Sequence, residues 1–484
     1  MAECRFNLVF LQSQKQYVMQ QNEIISLLYK QYLLSHAVTT DTRAIVPGSI
    51  FFAFKGDTFD GNAFAEQALK AGAALCVISD ERYRVDERCI VVPDVLKVLQ
   101  QLALHHRQHL TIPVVGITGT NGKTTTKELV REVLATRYRV HATAGNFNNH
   151  LGVPLTLLSM PVDTEIAIVE MGANHSGEIE ALCSIALPTC GLITNVGKAH
   201  LEGFGSFEGV VNTKTELYRH LGVVGGTIFA NADNDILMDQ ASKVCVMPSV
   251  PSSVPGYIPD YPVVDFDAAR SSVNLLTYGS SEAANVKGAL MECNPYMRFY
   301  IECDDVVYTI QSHLLGGYNF DNAMAAAAVG LHFGVEPFDI KEAIEAYQPT
   351  NNRSQYKQTE RNVLFLDCYN ANPSSMRVAV ENFVQVDAPH KMVILGAMRE
   401  LGSASRGEHR ALVEQLLAAR LDAIMLVGEE FGCAADLMNA SGICHHFADT
   451  EAVMQHLKEH PVSGATILIK GSNSNRLWQL EQLL

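Results

Sequence analysis

The segment GITGTNGKTT, residues 116–125, constrains the chain more than any other stretch. Val114 and Val115 lead into it as a short apolar strand, and a helix-forming run from Lys123 to Ala135 follows. Strand, glycine-rich turn and helix predict a phosphate cradle. Glycines let backbone N–H groups approach an anion, and the helix N-terminus adds partial positive charge. Lys123 is placed for the outer phosphates and the Thr124 hydroxyl for a magnesium ion. The first glycine of the standard nucleotide loop would fall at Ile117, so Gly116 comes one residue early. A tight strand-to-helix turn would explain the glycines alone. It would not explain a lysine and a threonine where the helix begins, so nucleotide binding is the better reading.

At 484 residues, a prior of about 150 residues per domain predicts three domains. A formal charge of −16 excludes a nonspecific nucleic-acid binder, which needs a basic face. It leaves room for anionic small substrates held by a local group of donors. Eleven cysteines without a CxxC pair read as buried free thiols, Cys76 and Cys190 among them, in a reducing compartment. No apolar run approaches the roughly 20 residues of a membrane span. The apolar NLVFL (7–11) is too short for a signal-peptide core. A soluble cytoplasmic protein is expected.

The first unit, residues 1–110, alternates helix (24–34, 64–71) and strand (49–56, 74–79), a small α/β domain. The second, 111–340, holds the phosphate loop and the apolar strands EIAIVEMG (165–172), CGLITNVG (190–197) and GTIFANAD (226–233). Strand-like pieces run from 273 to 311. Alternating strands and helices imply a mainly parallel sheet, here in a nucleotide-loop ATPase domain. Pro and Ser crowd residues 248–262, which read as an exposed loop. The third unit, 341–484, repeats buried strands at 363–370, 390–397, 422–430 and 465–472, as in a Rossmann-like doubly wound fold. Ligands of such sheets lie beyond the carboxyl ends of the strands, and most of the polar clusters sit there.

Glu170 ends a strand, His200 follows another, and Lys214 lies in TKTELY (213–218). Magnesium prefers oxygen ligands, so Thr124 and Glu170 suit a nucleotide-bound ion. A solvated glutamate and a structural histidine are the plain alternatives. The asparagines of NFNNH (146–150) suit sugar, phosphate or amide recognition, or a simple turn. Arg353 has the planar fork for a γ-phosphate. Asp367, Asn370 and Asn372, in DCYNANPSS (367–375), and Lys470 after the last strand either bind a small zwitterion or cap loops.

In order along the chain, GTNGKTT, NFNNHLGVPLTLL, EMGAN, ITNVGKAHLEGFGS, TKTEL, NNRS, DCYNANPSS and KGSNSNRLW resemble the Mur ligase family, which builds the peptide of bacterial cell-wall precursors. The resemblance covers nearly the whole chain. DCYNANPSS and the N-terminal stretch 39–73 are most similar to the member that adds D-alanyl-D-alanine to the UDP-muramoyl tripeptide. The resemblance implies ATP and magnesium, an acyl-phosphate intermediate, and a monomer. It assigns Gly119, Thr120, Asn121, Gly122, Lys123, Thr124 and Thr125 to the ATP phosphates, Asn322 to the adenine and Arg353 to the phosphates. Thr124, Glu170, His200 and Lys214 fall at magnesium positions, Lys214 as a carbamylated lysine. The expected catalytic set is Lys123, Lys214, His200 and Arg353. Thr42, Arg43, Asn62, Asn146, Asn148 and Asn149 fall to the UDP-muramoyl substrate. Asp367, Asn370, Asn372 and Lys470 fall to the dipeptide.

Three positions depart from the family pattern: Tyr318 stands where histidine is usual, Ala397 where aspartate is frequent, and Thr42 where serine is common. The rivals are the lysine- or diaminopimelate-adding ligase, which carries an Asp-Asn-Pro-type motif in place of DCYNANPSS, and folylpolyglutamate synthase, whose phosphate loop begins near the N-terminus. A noncatalytic nucleotide switch would have no use for the intact set Lys123, Thr124, Glu170, His200 and Lys214.

Overall fold

Three parallel-rich sheets form the frame of a computed structural model that describes residues 22–245, 273–349 and 353–484. The NLVFL stretch, the 248–262 segment and Asn352 lie outside the described residues. The N-terminal sheet has four parallel strands in chain order, 38–39, 50–52, 75–78 and 89–91. The expected helix over 24–34 spans residues 22–35. Its inward residues Ile25, Leu28 and Tyr32 are buried at the spacing of one helical face.

The central sheet has nine strands, and its order explains the site. Val114–Thr118 lies between Ile166–Glu170 on one side and Cys190–Ile193 on the other, all parallel. The chain leaves Val114–Thr118, builds outward to 140–142, returns to 166–170, then crosses to 190–193. That reversal of direction opens a crevice at the carboxyl ends, where such sheets bind ligands. All five residues of each of the strands Val114–Thr118 and Ile166–Glu170 are buried, as continuous apolar strands covered on both faces should be. The strand-like stretch after 273 joins this same sheet. Asn274–Gly279 and Val286–Cys293 continue it in parallel, and Tyr296–Cys303 and Val306–Leu315 close its edge as an antiparallel hairpin.

The helix Lys123–Ala135 buries Leu129, Val130, Val133 and Leu134. Each such side chain contributes roughly 2 kcal/mol on burial. Its neighbour, the alanine-rich helix Phe320–His332, has no bulky residue from Ala325 to Ala328 and allows close approach. The C-terminal sheet has six strands in the order 355–358, 363–367, 466–470, 391–396, 423–427, 444–447. Five are parallel and Gln355–Gln358 is antiparallel at one edge.

Candidate active site

The phosphate loop is shaped by two glycines that no other residue replaces. Gly119 has φ +145°, and a Cβ there would lie 2.0 Å from Thr194 Oγ1. Gly122, the N-cap of the helix, has φ +78°, and its Cβ would meet Asn322 Oδ1 at 2.5 Å. The loop is stitched to the 194–197 segment. Thr120 N donates to Asn195 O, Asn121 N to Asn195 Oδ1, and Gly197 N to Thr120 Oγ1. Lys123 Nζ donates to the carbonyls of Gly119 and Thr120, at 2.7 and 3.1 Å. Its ammonium is therefore held over the loop. Burial lowers its pKa, Glu170 opposes the shift, and the nearby charge of Arg353 adds to it.

Thr124 Oγ1 donates to Glu170 Oε2 at 3.0 Å, and Asn148 Nδ2 to Glu170 Oε1 at 2.8 Å. Glu170 is 1% exposed, so both its oxygens are held by neighbours. Thr125 is buried behind the loop. Asn322 accepts from Thr126 Oγ1 and donates to Asn319 Oδ1. The structure thus brings Thr124, Glu170, Asn148, Asn322 and Lys123 to one crevice. Asn149 Oδ1 accepts from Leu151 N and Gly152 N where the chain enters the helix Gly152–Leu158, and Asn146 is exposed in the same loop.

Lys214 ends the helix Phe207–Lys214 with its side chain almost fully buried. Its Nζ donates to Ala173 O at 3.3 Å and lies 5.4 Å from the Phe204 ring centre. Desolvation, reinforced by Lys123, pulls its pKa from 10.5 to about 7 against the weaker pull of Glu178 and Glu216. His200, at φ +50°, precedes the short helix Leu201–Phe204. Burial lowers its pKa, and Lys123 and Lys214 push the same way against Glu400. Among the described residues no three His, Cys, Asp or Glu side chains form a metal cage. The hydroxyl and carboxylate of Thr124 and Glu170 fit a hard cation that takes its other ligands from phosphate and water.

The C-terminal unit sits over this crevice. Asn372 caps the helix Pro373–Gln385, and its Nδ2 donates to Asn121 Oδ1 at 2.7 Å. Lys198 N donates to Ser374 Oγ, and Lys198 Nζ pairs with Glu408 at 2.9 Å. Arg353 stacks on Tyr369, with Cζ 3.6 Å from the ring centre. Asp367 and Lys470 are register partners on adjacent strands, and their ion pair is 2.5 Å long. Lys470 also donates to Asn370 O. These two are tied to each other, so a ligand would meet them as a pair.

The N-terminal residues stand apart from this cluster. Asn62 is 1% exposed, its amide bonded to Asp60, Ser79 N and Ser79 Oγ. Arg43 pairs with Asp41 on the surface, beside half-buried Thr42. Tyr318 lies at the junction of the central and C-terminal units, its hydroxyl 3.1 Å from Ser354 Oγ. Ala397 N donates to Val427 O. Sequence reasoning missed Glu400, whose carboxylate meets His200 Nδ1. The signal was present: Glu400 follows the end of the strand Lys391–Gly396, where functional residues of such sheets collect.

Residues 117–250 match the Mur ligase middle domain, 352–473 the glutamate ligase domain of Mur ligases, and 35–107 the Mur ligase family catalytic domain. The UDP-N-acetylmuramoyl-tripeptide–D-alanyl-D-alanine ligase of Bacillus subtilis (strain 168) is 33% identical over 463 residues, 93% of each chain. MurF from Acinetobacter baumannii superposes with a TM-score of 0.77 at 28% identity, covering 92% of both chains. The MurF ligase of Thermotoga maritima, solved in complex with ADP, gives 0.77 at 26% identity, covering 93% of this chain and 97% of that one.

Proposed function

The chain belongs to the Mur ligase family, and from that premise we propose that it is the ATP-dependent ligase joining D-alanyl-D-alanine to UDP-N-acetylmuramoyl-tripeptide in peptidoglycan precursor synthesis. The three units divide the work: residues 1–110 hold the UDP-sugar, 111–340 the nucleotide, and 341–484 the dipeptide. The bond from Asn372 to Asn121 carries this reading. It sets the DCYNANPSS loop against the phosphate loop, so an amine held there can reach a carboxylate activated at the γ-phosphate.

The reaction begins when a carboxylate oxygen of the tripeptide attacks the γ-phosphorus of ATP. One O–P bond forms, the bond to the β-phosphate oxygen breaks, and ADP leaves. The dipeptide amine then attacks the acyl carbon. Collapse of the tetrahedral intermediate forms the C–N bond and expels phosphate, and the amine proton passes to solvent. Two anions must approach in the first step, so Lys123 and Arg353 act by neutralising charge. Thr124 and Glu170, with His200 beside them, would hold a magnesium ion, which would supply further screening of these charges. Asn146, Asn148, Asn149, Thr42, Arg43 and Asn62 frame the UDP-muramoyl side, and Asp367, Asn370, Asn372 and Lys470 the dipeptide side.

Lys214 fits a carbamate. Its pKa near 7 leaves much of the amine unprotonated at neutral pH. The lone pair adds to carbon dioxide, the N–H proton goes to water, and a buried cation becomes an anion that can face magnesium. We infer that the protein works in the cytoplasm as a monomer; among the described residues no helix is long and apolar enough to cross a membrane.

Purified protein given ATP, magnesium, bicarbonate, the muramoyl tripeptide and D-alanyl-D-alanine should form ADP only when both acceptor and dipeptide are present. Lys123→Ala should abolish ADP formation while leaving the circular dichroism spectrum unchanged. Near-normal turnover in that variant, or no nucleotide consumption by the parent, would defeat the proposal.

A further inference from the structure

Glu400 brings a carboxylate from the C-terminal unit to His200 in the central unit, 200 residues away in sequence. A carboxylate only accepts hydrogen bonds, so His200 Nδ1 must be the donor. Neutral imidazole then keeps its lone pair on Nε2. The loop that presents Glu400 is fixed on several sides. Ala397 N donates to Val427 O, Met398 N to the buried His409 Nε2, and Arg399 pairs with Glu430. Leu401 is buried and Gly402 packs beside Glu202. His200 is fixed too, by its left-handed backbone and by Phe204, whose ring meets the imidazole edge-on.

We propose that Glu400 is a positioning residue that sets the tautomer of His200 when the C-terminal unit closes over the phosphate loop. Carboxylate partners fix ring orientation and raise ligand basicity wherever histidine serves a metal. Here the partner arrives from another unit. The site is complete only in the arrangement in which Asn372 also reaches Asn121 and Lys198 reaches Ser374 and Glu408. Closure and the readiness of His200 are one event, which ties nucleotide chemistry to the presence of the dipeptide-binding unit. The inference rests on the ligase reading for its purpose, and on geometry alone for the contact.

The test uses the full chain labelled with 15N-histidine, with Glu400→Ala and Glu400→Gln as variants. Glu400 is half exposed, so neither variant threatens the fold. Nitrogen shifts should place the His200 ring proton on Nδ1 in the parent and move it to Nε2 in Glu400→Ala. Glu400→Gln keeps an acceptor and should retain the parent tautomer in part. Manganese, used as a paramagnetic probe with ADP, should bind at least about tenfold more weakly in Glu400→Ala. ADP affinity without metal should not change. A His200 proton already on Nε2 in the parent would overturn the assignment. So would a tautomer or a manganese affinity that ignores Glu400→Ala. If both respond and the parent still joins no dipeptide to the tripeptide, the ligase reading fails and the Glu400 assignment stands.

Discussion

Replacing Lys214 by methionine should make the protein more stable near neutral pH while destroying its activity. The buried amine titrates at about 7 instead of 10.5 because burial disfavours its charge and Lys123 repels it. Each pKa unit is worth about 1.4 kcal/mol. Below pH 7 the unfolded chain and the folded protein are both protonated, and the folded one carries the whole penalty, on the order of 5 kcal/mol. Between 7 and 10.5 the unfolded state binds the extra proton, so stability rises with pH. At pH 7.5 about 4 kcal/mol of the penalty remains and at pH 9.5 about 1. Methionine has neither the proton nor the penalty. It also forfeits the long bond to Ala173 O, worth about 1 kcal/mol at any pH. The net gain at pH 7.5 is therefore about 3 kcal/mol, or a Tm roughly 6–12 °C higher for a unit of this size. By pH 9.5 the advantage should vanish. Scanning calorimetry of both proteins in carbon-dioxide-free buffer, following the central unit's transition, measures this directly. Packing differences do not vary with pH, so the change in ΔTm isolates the amine. Glu178 and Glu216, the carboxylates that act on Lys214, are common to both proteins. Added bicarbonate should stabilise the parent alone. A ΔTm that stays constant from pH 7.5 to 9.5 would refute the reasoning.

Gly119→Ala places a Cβ 2.0 Å from Thr194 Oγ1 at φ +145°; calorimetric titration should show ADP affinity falling at least 100-fold, with secondary structure retained by circular dichroism. Asn372→Ser keeps a helix-capping hydroxyl, so Tm should change little. The shorter side chain loses Asn121, and kcat/KM for the dipeptide should fall about two- to tenfold, as steady-state ADP release would show. Thr124→Val removes the hydroxyl bonded to Glu170 at constant shape; the magnesium concentration for half-maximal ADP formation should rise several-fold while nucleotide binding without metal is unchanged.

Local features of the fold were legible because the chain writes them contiguously. The strand, the two special glycines and the helix over Lys123–Ala135 lie within one run of residues. Polar residues after apolar strands, Glu170 and His200, were legible for the same reason. The pairing of these groups was not. Asp367 opposes Lys470 through strand register, and register depends on which strands become neighbours. Glu400 reaches His200 only after two units dock. The antiparallel hairpin 296–315 looked like further strands, and nothing in its composition announced that it would close the edge of the nucleotide sheet. Asn62 is assigned to the UDP-muramoyl substrate by resemblance alone, and what the sequence did not announce is the local frame that holds its amide, Asp60 and Ser79.

Net charge was the least informative number, and the site explains why. Around the phosphate loop, burial first and repulsion between neighbouring basic groups second lower the pKa values of Lys123, His200 and Lys214, with Arg353 adding to the effect on Lys123. Glu170, Glu400, Glu178 and Glu216 are the carboxylates placed among them. A chain of −16 therefore keeps Lys123 and Arg353 together in a crevice desolvated enough that their charges are poorly screened. Such a crevice is unfavourable until an anion enters. Two anions, a nucleotide phosphate and a substrate carboxylate, relieve the repulsion together, and that mutual relief lowers the barrier to bringing them into contact. The acidic exterior belongs to solubility. The crevice is governed by Lys123 and Arg353, by a neutral His200, and by the proton state of one buried amine, Lys214.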